Sequence, residues 1–324
     1  GADAPRTSPT AAADEDGADR SILEKYATDT WRSFEAMVVP KTGLPTDNVG
    51  GDLRPGPRAG YTSPTNIGGY LWSTVAARDI GLIGAKEAPT RMSRAIASLA
   101  TLEKHEPSGQ FYNWYDPMTL EKLTTWPENG NEVQPFLSSV DKGWLAVGLK
   151  VVADRVPEVS RRAGKLYDSM DFGFYYDAGR NQILFHYVPD TGQRVCCYDT
   201  IISESRIASY IGIAKGELPM RHYYGAYRSF PDPCDWAWTR TEPVGFTRSD
   251  LDTSVFDGSL PYNGCLVTPS WGGSMFEALM PSLFVPEEEW GPGSWGPNHP
   301  LTVASQIHHG MNEAAYGYWG FSPA

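Results

Sequence analysis

Helical segments in this chain are separated by long loops at 41–61, 106–135, 230–269 and 285–299, rich in Gly, Pro, Asn, Trp and Tyr. That alternation restricts the fold more than any single motif. Loops of such length inside a compact domain are either functional or disordered. Their aromatic content argues against disorder, because disordered segments are poor in the large side chains that bury area. A plain helical bundle has short connections and no use for them. Paired helices with elaborate loops at one end predict an all-α fold of the α/α toroid type, in which the loops build a cleft.

Between the loops, apolar residues recur at helical spacing. Ile22, Tyr26, Trp31 and Phe34 predict a helix over 19–38. Ser63-Pro64 opens the next one, a capping residue followed by proline at the first helical position, with the stripe Ile67, Tyr70, Leu71, Val75 and Leu82 behind it. Further helices are predicted at 89–105, 139–155, 158–170, 203–218, 220–229, 272–284 and 300–315. Strand-like pieces at 172–177 and 183–187 flank Asp177-Ala178-Gly179-Arg180 and predict a small β-hairpin. Residues 1–18 have almost nothing to bury and read as a disordered leader, leaving 19–324 as the toroid domain. The leader has the composition of an exported protein's mature start, so a secreted or cell-envelope location is expected.

The chain holds 11 Trp and 17 Tyr, with only 20% charged residues and a net charge of -12. So acidic a surface repels phosphate backbones, which excludes nucleic acid as a partner. Many indoles and phenols among few charges suit stacking on neutral rings, sugars above all. No apolar run reaches the ~18 residues of a membrane span. Cys196, Cys197, Cys234 and Cys265 allow three full pairings. The adjacent Cys196 and Cys197 are each expected to seek a distant partner. Zinc-ligand spacing, phosphate-binding glycine loops and a nucleophile elbow are all missing from the sequence, and no cofactor is expected.

Three acids stand out. Glu277 lies in Ser270-Trp271-Gly272-Gly273-Ser274-Met275-Phe276-Glu277-Ala278-Leu279-Met280-Pro281, among large apolar side chains. Burial disfavours the charged form of a carboxyl and so prepares it as a general acid. Asp141 and Glu204 sit at predicted helix starts, where acids also serve a purely structural role by meeting free N–H groups and the positive dipole end. Glycoside hydrolysis needs two carboxyls, one to protonate the leaving oxygen and one to attack carbon or activate water. Trp72, Trp114, Tyr115, Trp144, Trp271, Trp295 and Trp319 are candidate platforms for sugar rings.

Six segments in one order carry a family resemblance. They are Thr62-Ser63-Pro64-Thr65-Asn66-Ile67-Gly68, Gly109-Gln110-Phe111-Tyr112-Asn113-Trp114-Tyr115-Asp116, Ser138-Ser139-Val140-Asp141-Lys142-Gly143-Trp144-Leu145, Ser203-Glu204-Ser205-Arg206-Ile207-Ala208, Trp271-Gly272-Gly273-Ser274-Met275-Phe276-Glu277 and Tyr318-Trp319-Gly320-Phe321-Ser322. In this order the chain resembles the glycoamylase-like family, which includes bacterial endo-β-1,2-glucanases and the hydrolase-like module of cyclic β-1,2-glucan synthases. The resemblance implies an (α/α)6 toroid acting on glycosidic bonds, with Glu277 and Glu204 as the catalytic pair. It implies that Asp141, Asn66, Trp114, Tyr115, Trp144, Arg206, Trp271 and Trp319 bind substrate.

Family members continue past the position of Ser322, and a six-hairpin toroid needs more helices than are predicted here. The toroid is therefore expected to be incomplete in this chain, with a C-terminal fragment of the same precursor as a candidate partner. An insertion-like loop at 223–268, carrying Cys234, Trp236, Trp238 and Cys265, is expected to reshape the cleft. The expected activity is endo-hydrolysis of a polysaccharide, with β-1,2-glucan the first candidate. The alternatives are a non-catalytic glycan-binding protein on the same scaffold and a transglycosylase.

Overall fold

The computed structural model describes residues 9–54, 56, 58–229 and 242–322. Nine α-helices occur among them: α1 (Pro9–Met37), α2 (Pro64–Asp79), α3 (Glu87–Leu99), α4 (Ser139–Arg155), α5 (Ser160–Asp168), α6 (Arg206–Ala214), α7 (Met275–Leu279), α8 (Glu287–Trp290) and α9 (Trp295–His308). The expectation of an all-α chain is corrected by four small antiparallel sheets. β1 (Lys104–His105) pairs with β2 (Gln110–Phe111). β6 (His186–Val188) lies between β3 (Leu137–Ser138) and β7 (Gln193–Val195). β4 (Tyr176–Asp177) pairs with β5 (Gln182–Ile183). β9 (Thr253–Tyr262) lies between β8 (Val244–Asp250) and β10 (Cys265–Val267). The chain divides into two compact units, unit 1 with residues 1–102, 114–133 and 148–166, and unit 2 with 103–113, 134–147 and 167–324.

Unit 1 is built on helix packing. Ser63 Oγ accepts from Asn66 N (3.1 Å) while Asn66 Oδ1 accepts from Ser63 N (2.8 Å), a reciprocal capping box with Pro64 opening α2. Asn66, expected to meet sugar, thus gives its carbonyl oxygen to a helix cap. Trp31 stacks on Tyr70 with centroids 6.4 Å apart, and the Arg91 guanidinium lies 5.3 Å from the Trp31 ring. Tyr115 is fully buried, its backbone bridged to Thr62, and so offers no platform to a ligand. Trp114 is half-buried against the edges of Tyr61 and Trp126. Residues 9–18, expected in a disordered leader, form the first turns of α1, while residues 1–8 lie outside the described residues.

Unit 2 departs further from the predicted elements. The single helix expected over 272–284 is broken by its own sequence. Gly272 (φ 61°) and Gly273 (φ 72°) take left-handed conformations that disfavour any side chain, and Pro281 confines the end to a 3₁₀ turn. Residues 220–229 hold only a 3₁₀ turn, Met220–Tyr224. The predicted hairpin around Asp177 is present as β4–β5, but 186–188 pair elsewhere. The segment read as loop 230–269 contains the longest strands of the chain. They turn at Leu251-Asp252, both at positive φ, in a two-residue connection without the Asn-Gly signal that marks such hairpins. Cys234, Trp236 and Trp238 lie outside the described residues. Cys196 and Cys197 are bonded to each other rather than to distant partners, and Cys265 is exposed and has no disulfide partner among the described residues.

In unit 1, α4 meets α2 at two glycines. A Cβ at Gly148 would stand 2.6 Å from the carbonyl oxygen of Gly68, so the helices must separate to admit one. Gly148→Val is expected to cost about 1–3 kcal/mol of stability through overpacking. Gly164, on α5 with nothing within 4 Å of its would-be Cβ, is the control. Gly164→Ala should stabilise by roughly 0.5–1 kcal/mol through helix propensity. Urea unfolding of both variants checks the pair; equal midpoints would show that the glycine contact is not tight.

Candidate active site

Asp141 occupies the third position of α4, its N–H donating to Ser138 Oγ (3.3 Å). Trp144 follows one turn later and therefore shares its face. The Trp144 side chain is fully buried, so it is no open platform, and its indole Nε1–H donates to Glu204 Oε2. Glu204 stands in the turn that leads into α6. Glu277 comes from a different element. It is the third residue of α7 and closes a Ser-x-x-Glu sequence whose Ser274 Oγ caps the Glu277 N–H (3.2 Å). In the usual capping box the glutamate reaches back to the cap's own N–H. Here the Ser274 N–H bonds to Trp271 O, and Glu277 Oε2 instead accepts from the backbone N–H of Glu204. The two acids are thereby joined, the carboxyl of one on the main chain of the other.

Their environments are unequal. Burial pushes the Glu204 carboxyl up, the Trp144 N–H pulls it back, and the charges of Glu277 and Asp141 push it up again, to about 7. Burial also raises Glu277, opposed by the Glu204 N–H, the Ser203 hydroxyl and the field of Arg206. Burial thus raises both acids, Glu277 as the apolar sequence around it suggested and Glu204 to about 7.

Aromatic rings border the pair. Trp271, whose N–H bonds to Ile202 O (2.9 Å), stacks on Phe185 (5.7 Å, 16° between planes) and meets Tyr198 edge-on (5.4 Å). It remains 38% exposed, which leaves ring surface for a ligand. Burial and the charges of Glu204, Asp141 and Glu277 raise the Tyr198 phenol. Trp319 is 47% exposed on the segment whose Phe321 O accepts the Met275 N–H at the start of α7.

Arg206 is not where a substrate-binding residue should be. Its side chain is 1% exposed and ion-paired with Glu287, Nε to Oε1 at 2.6 Å. Burial would raise Glu287, but hydrogen bonds from His299 and Arg206 overcome it and hold the carboxyl at about 2. Lys142, beside Asp141, is fully buried with its ammonium on Asn113 Oδ1, and burial lowers it to about 7. Tyr198, Phe185, Lys142 and Glu287 escaped sequence reasoning. No local pattern marks the first three, and Glu287 opens an acidic run that reads as a solvated face. A cavity of about 570 Å³ is lined by Tyr210, Tyr223, Tyr224, Arg228, Trp290 and Trp295 among others, and neither Glu204 nor Glu277 lines it.

Residues 25–185 match the family described as "Protein of unknown function (DUF3131)". The cyclic β-(1,2)-glucan synthase NdvB of Rhizobium meliloti is 25% identical over 93% of this chain, which spans only 14% of that synthase's length. A β-1,2-glucanase from Parabacteroides distasonis superposes with a TM-score of 0.68 at 15% identity, over 93% of this chain and 43% of that one. An endo-β-1,2-glucanase from Chitinophaga pinensis gives 0.59 at 15% identity, over 93% and 69% of the two chains. A protein from Bacteroides fragilis provisionally designated a glucoamylase gives 0.61 at 18% identity, also over 93% and 69%. The solved glycoamylase-like structures share its fold, and the resemblance carried by six short sequence segments holds.

Two titrations check this site. Trp144→Phe keeps the ring and deletes the donor to Glu204, so the Glu204 midpoint should rise above about 7 in a ¹³C-carboxyl NMR titration. An unmoved midpoint would mean that the indole does not bond the carboxylate. Glu287, held near 2 in the folded chain against an ordinary 4.5, contributes stability that is full above pH 4.5 and is lost as pH falls towards 2. The contribution is about 3 kcal/mol. Glu287→Gln should flatten the acid limb of the stability curve in that window; a limb of wild-type steepness would assign it to other carboxylates.

Proposed function

We propose that this chain is the hydrolase part of a glycoside hydrolase that cuts a polysaccharide internally, with β-1,2-glucan as substrate and an (α/α)6 scaffold. One observation carries the reading: two acids from separate elements meet, the Glu277 carboxylate accepting the main-chain N–H of Glu204, and their surroundings are unequal, Glu204 facing the charges of Glu277 and Asp141 and Glu277 facing the field of Arg206. Glycoside hydrolysis asks for that inequality, one carboxyl protonated and one ionised at the same pH. Glu204 is the general acid, delivering its proton to the leaving oxygen. Glu277 is the ionised partner that attacks the anomeric carbon or activates water. Asp141 acts through its charge, which helps keep the proton on Glu204. Trp271 holds a sugar ring against its exposed face.

The substrate assignment draws on the β-1,2-glucanases whose fold the chain shares and on the glucan synthase it resembles in sequence. The synthase supports a second reading of the same site, in which a sugar hydroxyl takes the place of water and the product is a transferred chain. A polymer of this size does not cross a membrane unaided, and export is part of the proposal.

The test is product analysis with β-1,2-glucan, beside other linear and cyclic glucans, at several pH values. Oligosaccharides should appear from β-1,2-glucan, with activity falling as pH rises through about 7 and Glu204 loses its proton. Glu204→Gln should lower turnover of the polymer by roughly 10²–10⁴-fold. It should spare an aryl glycoside whose leaving group needs no proton, while Glu277→Gln loses both substrates. Products longer than the starting chain would favour transfer. Binding without products, unchanged in both variants, would sink the hydrolase reading and leave a glycan-binding protein.

A further inference from the structure

The guanidinium of Arg206 has five N–H donors, and each has its own acceptor. Nε and one Nη2 proton hold Glu287 as a fork, at 2.6 and 3.0 Å. Nη1 donates to Ser203 O (3.0 Å) and to Glu277 O (2.6 Å), and Nη2 also donates to Ala278 O (2.7 Å). None is left for a sugar. Two of these oxygens are informative: Ser203 O belongs to the peptide that leads into Glu204, and Glu277 O is the carbonyl of the other acid. Both acids therefore hang from one planar group.

We propose that Arg206 is the positioning residue of the acid pair: it ties the main chain beneath Glu204 to the main chain beneath Glu277, and so sets how the two carboxyls face one another without touching substrate. The inference rests on the acid-pair reading given above. Packing supports it. Trp295 covers the guanidinium at 4.9 Å. The Glu287 anchor is braced by Tyr210 Oη (2.7 Å) and His299 Nε2 (3.4 Å), and His299 Nδ1 lies 3.2 Å from Glu288. The titratable groups that face Arg206 are thus Glu287, Tyr210, His299 and Glu277. Those that face Glu204 are Glu277, Asp141 and Tyr198. An ammonium cannot replace the fork, because it has three donors and no plane.

A merely structural arginine would change stability alone. A positioning one changes turnover and the titration of both carboxyls while leaving substrate affinity in place. Two variants separate these roles. Arg206→Lys keeps the charge and loses the fork. The double variant Arg206→Met with Glu287→Met replaces a buried ion pair by apolar groups, a change that buried pairs often tolerate. For each, kcat and KM on β-1,2-glucan are measured alongside ¹³C-carboxyl titration of Glu204 and Glu277, with folding checked by thermal melting. Turnover should fall about 10–100-fold with KM within about threefold, as expected of misplaced catalytic groups. The Glu204 midpoint should leave its wild-type position. A folded variant with wild-type kcat and wild-type midpoints overturns the proposal, and Arg206→Lys decides if the double variant fails to fold. A wild-type chain that cleaves no glucan overturns the hydrolase reading instead, and the titration alone then decides on Arg206.

Discussion

The buried pair of Arg206 and Glu287 is the constraint on which the rest of unit 2 depends. Taking two charges out of water costs several kcal/mol per ion, and Coulomb attraction offsets this only when every donor and acceptor is met. Here that condition is met on both sides. The arginine fills its five donors, and the carboxylate receives the fork, the Tyr210 hydroxyl and the His299 ring. Such a pair adds little net stability over an apolar core, but it specifies geometry. Displacing any participant would strand the carbonyls of Ser203, Glu277 or Ala278. One interaction thereby fixes the start of α6, the whole of α7, the short α8 and the first turns of α9 relative to each other.

The two readings open to an acid at a helix start, cap or catalyst, turn out not to exclude each other. Asp141 and Glu277 each follow a serine by three residues, and each serine caps the acid's own N–H. The capping sequence therefore does structural duty through the backbone. The carboxylate of Glu277 crosses to another element. A capping box binds its glutamate locally; a capping box with its glutamate turned away presents a charged oxygen at a place fixed by the helix.

What was legible in the sequence had local causes. The Ser63-Pro64 cap and the apolar stripe behind it gave α2, and an uninterrupted run without Gly-Gly or Pro gave α4 over its observed span. The glycoamylase-like likeness was legible in six short segments in one order. What was not legible depends on distant partners. The β8–β9 hairpin turns on Leu251-Asp252, without the Asn-Gly pair that marks such turns, and β8 leaves Val244 and Phe246 exposed, so no buried apolar face announces it. Arg206 was recognised as important but assigned to substrate, since nothing in Ser203-Glu204-Ser205-Arg206 tells that its partner lies 81 residues away. Phe185 joins the site through Trp271, and Tyr198 through Trp271 and the charges of the three acids.

The inequality of the two acids follows from a count of donors. Glu277 receives the N–H of Glu204, the Ser203 hydroxyl and the nearby guanidinium field, all of which favour its charged form. Glu204 receives one indole N–H, and faces two negative neighbours. A single proton shared between them therefore rests on Glu204. Because the carboxylate of Glu277 is itself bonded to the Glu204 main chain, neither acid can move without the other. Their protons are then properties of the pair rather than of either residue. The charge of Glu277 that helps hold the proton on Glu204 is itself favoured by the donors around Glu277, against a burial that raises both carboxyls.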